Sequence, residues 1–235
     1  MLCKIADLLV EVPAAGGMDT RCQAYLCNSE ENADIVIEEC RYKHPVWPGA
    51  PYESTCYMQS GTQFYGRLLR FDGLLLHASA VEVDGKAYLF SGPCGTGKST
   101  HTKLWQSLFG EKARVFNDDK PAVRWVDGRW YAYGTPWCGK DGININMKAP
   151  VAGICFLQQA PENRIRRLNS KESMQQIIAQ TIRKFQKTEN LDLMLTLVDK
   201  LVRTIPVYEM KNRPEEAAAR LSHETMSLGA KEMGL

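Results

Sequence analysis

Residues 87–100 read Ala87-Tyr88-Leu89-Phe90-Ser91-Gly92-Pro93-Cys94-Gly95-Thr96-Gly97-Lys98-Ser99-Thr100. Their inner part, Gly92 to Ser99, fits G-x-x-x-x-G-K-[ST], the pattern of a phosphate-cradling P-loop. Because the pattern also arises by chance, its flanks decide. Upstream, Lys86 to Phe90 is a short apolar run of strand type. Downstream, Leu104, Trp105 and Leu108 fall at helical spacing and Gly110 closes the segment. Strand, glycine loop and helix start are the geometry that lets main-chain N–H groups and a helix N-terminus meet phosphate oxygens. The stretch Gly92, Pro93, Cys94, Gly95, Thr96, Gly97, Lys98, Ser99 and Thr100 is therefore the expected nucleotide-binding set. Lys98 is expected at the terminal phosphates and the Ser99 hydroxyl on Mg²⁺. The competing reading is a glycine-rich turn with an accidental Lys-Ser.

Composition bounds the rest. The chain has 235 residues, 44% hydrophobic and 24% charged, with a net charge of +2. That is enough to bury a real core and too nearly neutral for a broad commitment to nucleic acid or membrane. No apolar stretch approaches a membrane span, and Met1 to Val12 lacks a cleavage-site pattern. Of eight cysteines none forms a C-x-x-C pair, and one, Cys94, lies in the glycine loop. Reduced thiols in a cytoplasmic protein are the economical expectation.

Beyond the loop, Ala113 to Lys120 reads as a short buried strand ending in Asp118-Asp119. Side chains alternate along a strand, so the two acids cannot face the same way. Asp118 is the expected Mg²⁺ ligand and Asp119 the general base, with the reverse assignment open. Ahead of the loop, Leu74 to Val81 is an apolar run holding His77, followed by the hairpin turn Asp84-Gly85. Alone, such a histidine reads as a core residue. Val123 to Tyr133 is a second hairpin turning at Asp127-Gly128. It leads into Gly134 to Asn146, a glycine-rich loop in which Lys140 is a candidate to neutralise a transferred phosphoryl group and Trp137 to pack against substrate.

The ends carry packing signals. Ile5 to Val12 and Ala33 to Glu38 are β-rich, prolines 45, 48 and 51 break the next stretch, and Tyr52 to Phe71 is a strand or short helix. Val151 to Leu157 is a buried strand, and Glu162 to Leu168 an edge strand. Ser170 is the expected N-cap of a helix over Lys171 to Lys187, with Met174, Ile177 and Phe185 on one face. A second amphipathic helix covers Leu191 to Val202, then a strand Ile205 to Met210 and a helix Glu215 to Leu228.

With these residues in view, positions 72–168 resemble the HPr kinase family and its short relatives, whose P-loop fold is related to phosphoenolpyruvate carboxykinase. The likeness rests on His77, Gly92 to Ser99, Asp118-Asp119 and the loop Gly134 to Ile145. It implies a kinase that phosphorylates a serine hydroxyl with ATP and Mg²⁺, with Asp119 as base and His77 drawn into the site. Thr100 stands where that family has an acid, and its metal-binding glutamate is replaced near Tyr131. The expectation is an α/β P-loop kinase core over 71–168, a small β-rich N-terminal lobe over 1–70 and C-terminal helices over 169–235. The catalytic set is Asp119, Asp118, His77, Lys98 and Lys140; the metal ligands are Ser99 and Asp118. The acceptor is a hydroxyl on a protein, peptide or small molecule, and a homo-oligomer is compatible with the family. The rival readings are a small-molecule kinase and a nucleotide-binding regulatory module with little turnover.

Overall fold

The computed structural model describes residues 1–41, 47–182 and 188–235. The N-terminal run folds back on itself: β1 (Leu2–Ile5) and β2 (Leu8–Glu11) pair antiparallel around Ala6-Asp7, both at positive φ. The β-rich run expected over Ile5 to Val12 thus takes in the turn and β2. Asp7 fixes the turn, its Oδ2 accepting from Tyr133 Oη at 2.7 Å and Lys148 Nζ at 2.6 Å. The four-residue α1 (Met18–Arg21) follows, then β3 (Ile35–Val36), parallel to β2. Pro45 lies outside the described residues.

Tyr52 to Phe71 resolves as the helix α2 (Tyr52–Leu68) and a 3₁₀ turn. The apolar run 74–81 is then divided between β4 (Gly73–Leu75) and β5 (Ala78–Val83), which pair with different strands. His77 stands in the break. β5 turns at Asp84-Gly85, both left-handed, into β6 (Lys86–Ser91), as the hairpin signal predicts. After the glycine loop come α3 (Lys98–Phe109) and β7 (Arg114–Asn117), then the hairpin β8 (Ala122–Val126) and β9 (Arg129–Tyr133) across Asp127-Gly128.

The long strand β10 (Lys148–Gln159) joins the two parts of the large sheet. Its first residues pair antiparallel with β9, the rest parallel with β6. β11 (Arg164–Arg167) is an edge strand, as expected. α4 (Ser170–Ala179) is capped by Asn169, not Ser170: Asn169 Oδ1 accepts from Glu172 N and Glu172 Oε2 from Asn169 N, each at 3.0 Å. The helix stops well short of Lys187, and Phe185 lies outside the described residues. α5 (Thr188–Thr204), β12 (Val207–Asn212), parallel to β10, and α6 (Glu216–Glu232) complete the chain.

Alternation along β6 and β10 explains the layers. Leu89 and Ile154 pack with Ile177, Val198 and Leu201 of α4 and α5, while Phe90 and Cys155 pack with Trp105 of α3 and Met226 of α6. A third core joins Ile5 and Val10 to Phe64, Leu68 and Trp137. Fully burying each such side chain contributes about 1.5–3 kcal/mol. The result is a mixed α/β fold with a curled sheet and C-terminal helices, in which the parallel strands β6 and β10 end at the glycine loop. Among the described residues no helix is long and apolar enough to cross a membrane.

Candidate functional site

The glycine loop bridges the end of β6 and the start of α3. Gly92, Gly95 and Gly97 have φ of 142°, 83° and 94°, values that side chains other than glycine rarely adopt. Gly97 is the N-cap of α3, so the helix opens with Lys98 and its first-turn amides face the loop. Lys98 curls back, its Nζ donating to Gly92 O at 2.9 Å and Pro93 O at 3.3 Å. Burial lowers its pKa, partly offset by the charge of Asp119. Ser99 is partly exposed, Thr100 and Cys94 exposed. Gln159 Nε2, at the tip of β10, donates to Gly95 O at 2.8 Å. A cleft of about 520 Å³ lies against this loop, walled by Phe156 to Gln159 and Gln176.

The strand expected to carry both acids stops at Asn117, and Asp118 and Asp119 diverge in the turn that follows it. Asp118 Oδ1 accepts from Gly139 N at 2.6 Å, and burial raises its pKa. Its carboxylate lies so close to Gly139 that a β-carbon there would stand 2.8 Å from Oδ2. Asp119 turns to His77, with Oδ1 at 3.0 Å from Nε2, and its Oδ2 is bonded by Lys120 Nζ. Burial opposes its ionisation, but His77 and Lys120 outweigh that and hold the carboxyl at about 2. Asn117 braces the turn, its Oδ1 accepting from Asp119 N at 3.1 Å and Lys120 N at 2.7 Å.

His77 connects this turn to the glycine loop. Its carbonyl accepts from Ser91 Oγ at 2.8 Å, at the end of β6, while Ala78 N donates to Asp119 O at 3.0 Å. On its far side His77 N donates to Gln180 O at 2.8 Å, and Nδ1 lies 3.0 Å from Gln180 Oε1. Gln180 is the residue at which α4 stops. The histidine is thus a connector of three segments and not a core residue.

Three side chains that the motifs did not single out join the cluster. Lys120 Nζ also donates to Tyr57 Oη at 2.8 Å, and Tyr57 Oη donates to Cys138 O at 2.8 Å. Burial opposes the Lys120 charge, yet Tyr57 and Asp119 leave its pKa raised. Arg21 stacks on the same tyrosine, Cζ 4.7 Å from the ring centroid, with Nη1 donating to Cys138 Sγ at 3.3 Å. Lys120 follows the acid pair directly and was open to notice. Tyr57 and Arg21 lie some 60 and 100 residues upstream of that pair, and nothing local marks them.

The loop after β9 corrects one expectation. Trp137 is fully buried, stacked on Phe64 at 4.6 Å with Nε1 donating to Ser60 Oγ at 3.0 Å, so it is a packing residue closed to substrate. Its flat indole fills the space over Gly61. Lys140 is exposed and in no ion pair among the described residues. The thiol expectation also changes. Cys40 and Cys56 form a disulfide, their Cα atoms 5.1 Å apart because the segment after β3 runs back along α2; the other six cysteines are free. Among the described residues no three His, Cys, Asp or Glu side chains converge as a metal cluster.

A family model described as SynChlorMet cassette protein ScmC matches residues 55–213. No curated protein matches the sequence. Among solved structures the chain is similar to the Hpr(Ser) kinase/phosphatase from Coxiella burnetii, at 12% identity over 67% of this chain and 95% of that one. The TM-score is 0.35, a likeness too slight to decide fold or activity. The family match spans both the glycine loop and the acid pair and takes in more than half of the chain, which therefore belongs to the ScmC family of SynChlorMet cassette proteins.

Proposed function

We propose that this chain is an ATP- and Mg²⁺-dependent kinase that moves the γ-phosphate to a hydroxyl, that of a Ser or Thr in a protein or peptide. The observation that carries this reading is His77 joining Asp119 to the strand that feeds the glycine loop. Through it the acid pair and Lys98 share one corner of the sheet, close enough for Asp119 to act on the Lys98 charge. The donor set fits the nucleotide and its metal: open amides, an amine, a hydroxyl and a carboxylate. The amides of Cys94, Gly95 and Gly97 with Lys98 would hold phosphates, and Ser99 with Asp118 the Mg²⁺. Mg²⁺-ATP, when bound, supplies the phosphoryl group and screens its charge.

The chain's own residues would do the rest. Asp119 accepts the proton of the acceptor hydroxyl. His77 holds that carboxylate in place, and Lys120 offsets charge beside it. In this reading residues 71–168 form the nucleotide core, and 1–70 contribute Tyr57 and Arg21 to the acceptor side. A second reading, a nucleotide-binding module with little turnover, draws on one observation: both oxygens of Asp119 are already engaged. Incubation with γ-labelled ATP, Mg²⁺ and serine peptides separates the two. Label on a peptide hydroxyl supports the kinase. Nucleotide binding without label on any acceptor supports the module, and no nucleotide binding ends both.

A further inference from the structure

The cations around the acid pair are not equally compensated. Lys98 is held by two carbonyls and Lys120 by Asp119. Arg21 differs. Among the described residues it is in no ion pair; its guanidinium meets a tyrosine face and one sulfur atom, a weak acceptor. A guanidinium has five N–H donors in a planar fork suited to a carboxylate, and stacking on an aromatic face holds that plane while leaving its edge open. Arg21 is partly exposed.

Its position is also fixed. Asn144 Nδ2, in the loop after β9, donates to Arg21 O at 3.0 Å. Cys138 receives Arg21 on its sulfur and Tyr57 on its carbonyl, and the next residue, Gly139, donates to Asp118. Arg21 and Lys120 share one tyrosine ring: the guanidinium is 4.7 Å and the ammonium 4.9 Å from its centroid. Arg21 is thus one side chain removed from the group that bonds Asp119.

We propose that Arg21, seated on Tyr57, recognises a carboxylate carried by the acceptor close to the hydroxyl that Asp119 serves. This rests on the kinase reading for the hydroxyl, but not for the carboxylate. The carboxylate belongs either to a terminal residue or to an acidic side chain beside the hydroxyl-bearing one, and the probes distinguish these.

The test is a titration of the full chain, in the presence of a non-hydrolysable ATP analogue and Mg²⁺, with three probes. They are N-acetylserine, with a terminal carboxylate; N-acetylserinamide, with none; and N-acetyl-seryl-aspartyl diamide, with only an acidic side chain. One or both acids should bind about ten-fold or more tightly than the neutral amide, the worth of a charge-assisted bond. Whichever acid gains names the source. Arg21→Gln should abolish the difference and Arg21→Lys restore part of it, with the melting temperature of each variant checking that it folds. Acids that bind no better than the amide, or a preference that survives Arg21→Gln, overturn the proposal. The same samples with γ-labelled ATP test the kinase reading separately, since selective binding without transfer would sink only that.

Discussion

His77 Nε2 stands 3.0 Å from Asp119 Oδ1, although 42 residues separate them in sequence. Each is anchored by its own backbone as well, His77 O to Ser91 and Asp119 O to Ala78 N. The contact is therefore part of the sheet's end and not a chance meeting of exposed charges.

Its first consequence concerns titration. Asp119 is held at about 2, so its carboxylate is ionised across the working pH range and should impose no acid limb on transfer above about pH 4. His77→Gln removes one of the interactions that favour the charged form. Its expected outcome is an Asp119 carboxyl that titrates at higher pH, read by carbon NMR of labelled aspartate. An unchanged titration would show that Lys120 alone sets it.

Asp119→Asn should leave nucleotide affinity within about two-fold while lowering transfer by roughly 10² or more, the usual worth of a positioned base. Transfer at the native rate removes Asp119 from the base role. Lys98→Ala should instead weaken nucleotide binding itself by about ten-fold or more, measured by calorimetry.

Gly139→Ala probes Asp118. A methyl group there would lie 2.8 Å from Oδ2, so the carboxylate has to move while the loop backbone keeps an ordinary conformation. The Mg²⁺ concentration for half-maximal transfer should rise several-fold with little change in melting temperature. If it does not rise, Asp118 is not a metal ligand.

His101 gives a stability prediction. It is buried in α3 with Nε2 2.9 Å from Ser222 Oγ, and Nδ1 has no hydrogen-bond partner among the described residues. Burial lowers its pKa from 6.5 to about 4. Between those values the unfolded chain binds the proton and the folded chain does not. Stability is thus whole above about pH 6.5 and lost as pH falls towards about 4, by up to roughly 3 kcal/mol. Urea unfolding at several pH values checks this, and His101→Leu should flatten that part of the curve.

Trp137→Ala should cost about 3–5 kcal/mol, because the indole is fully enclosed between α2 and the loop after β9. Urea unfolding measures it. A loss below about 1 kcal/mol would mean that the side chain is not the packing element described.

Local chemistry was legible. Glycines at 92, 95 and 97 and the hairpin turns Asp84-Gly85 and Asp127-Gly128 follow from rules acting over a few residues, and the chain obeys them. Long-range assembly was not. The break at His77 that sends β4 and β5 to different partners, the end of α4 at Gln180, and the enclosure of Trp137 against Phe64 depend on segments far away in sequence. So does the arrival of Tyr57 and Arg21 beside Lys120. Periodicity and turn propensity report what a residue does to its own backbone. Which side chains meet across a curled sheet is set by how the layers pack, and only the tertiary structure decides that.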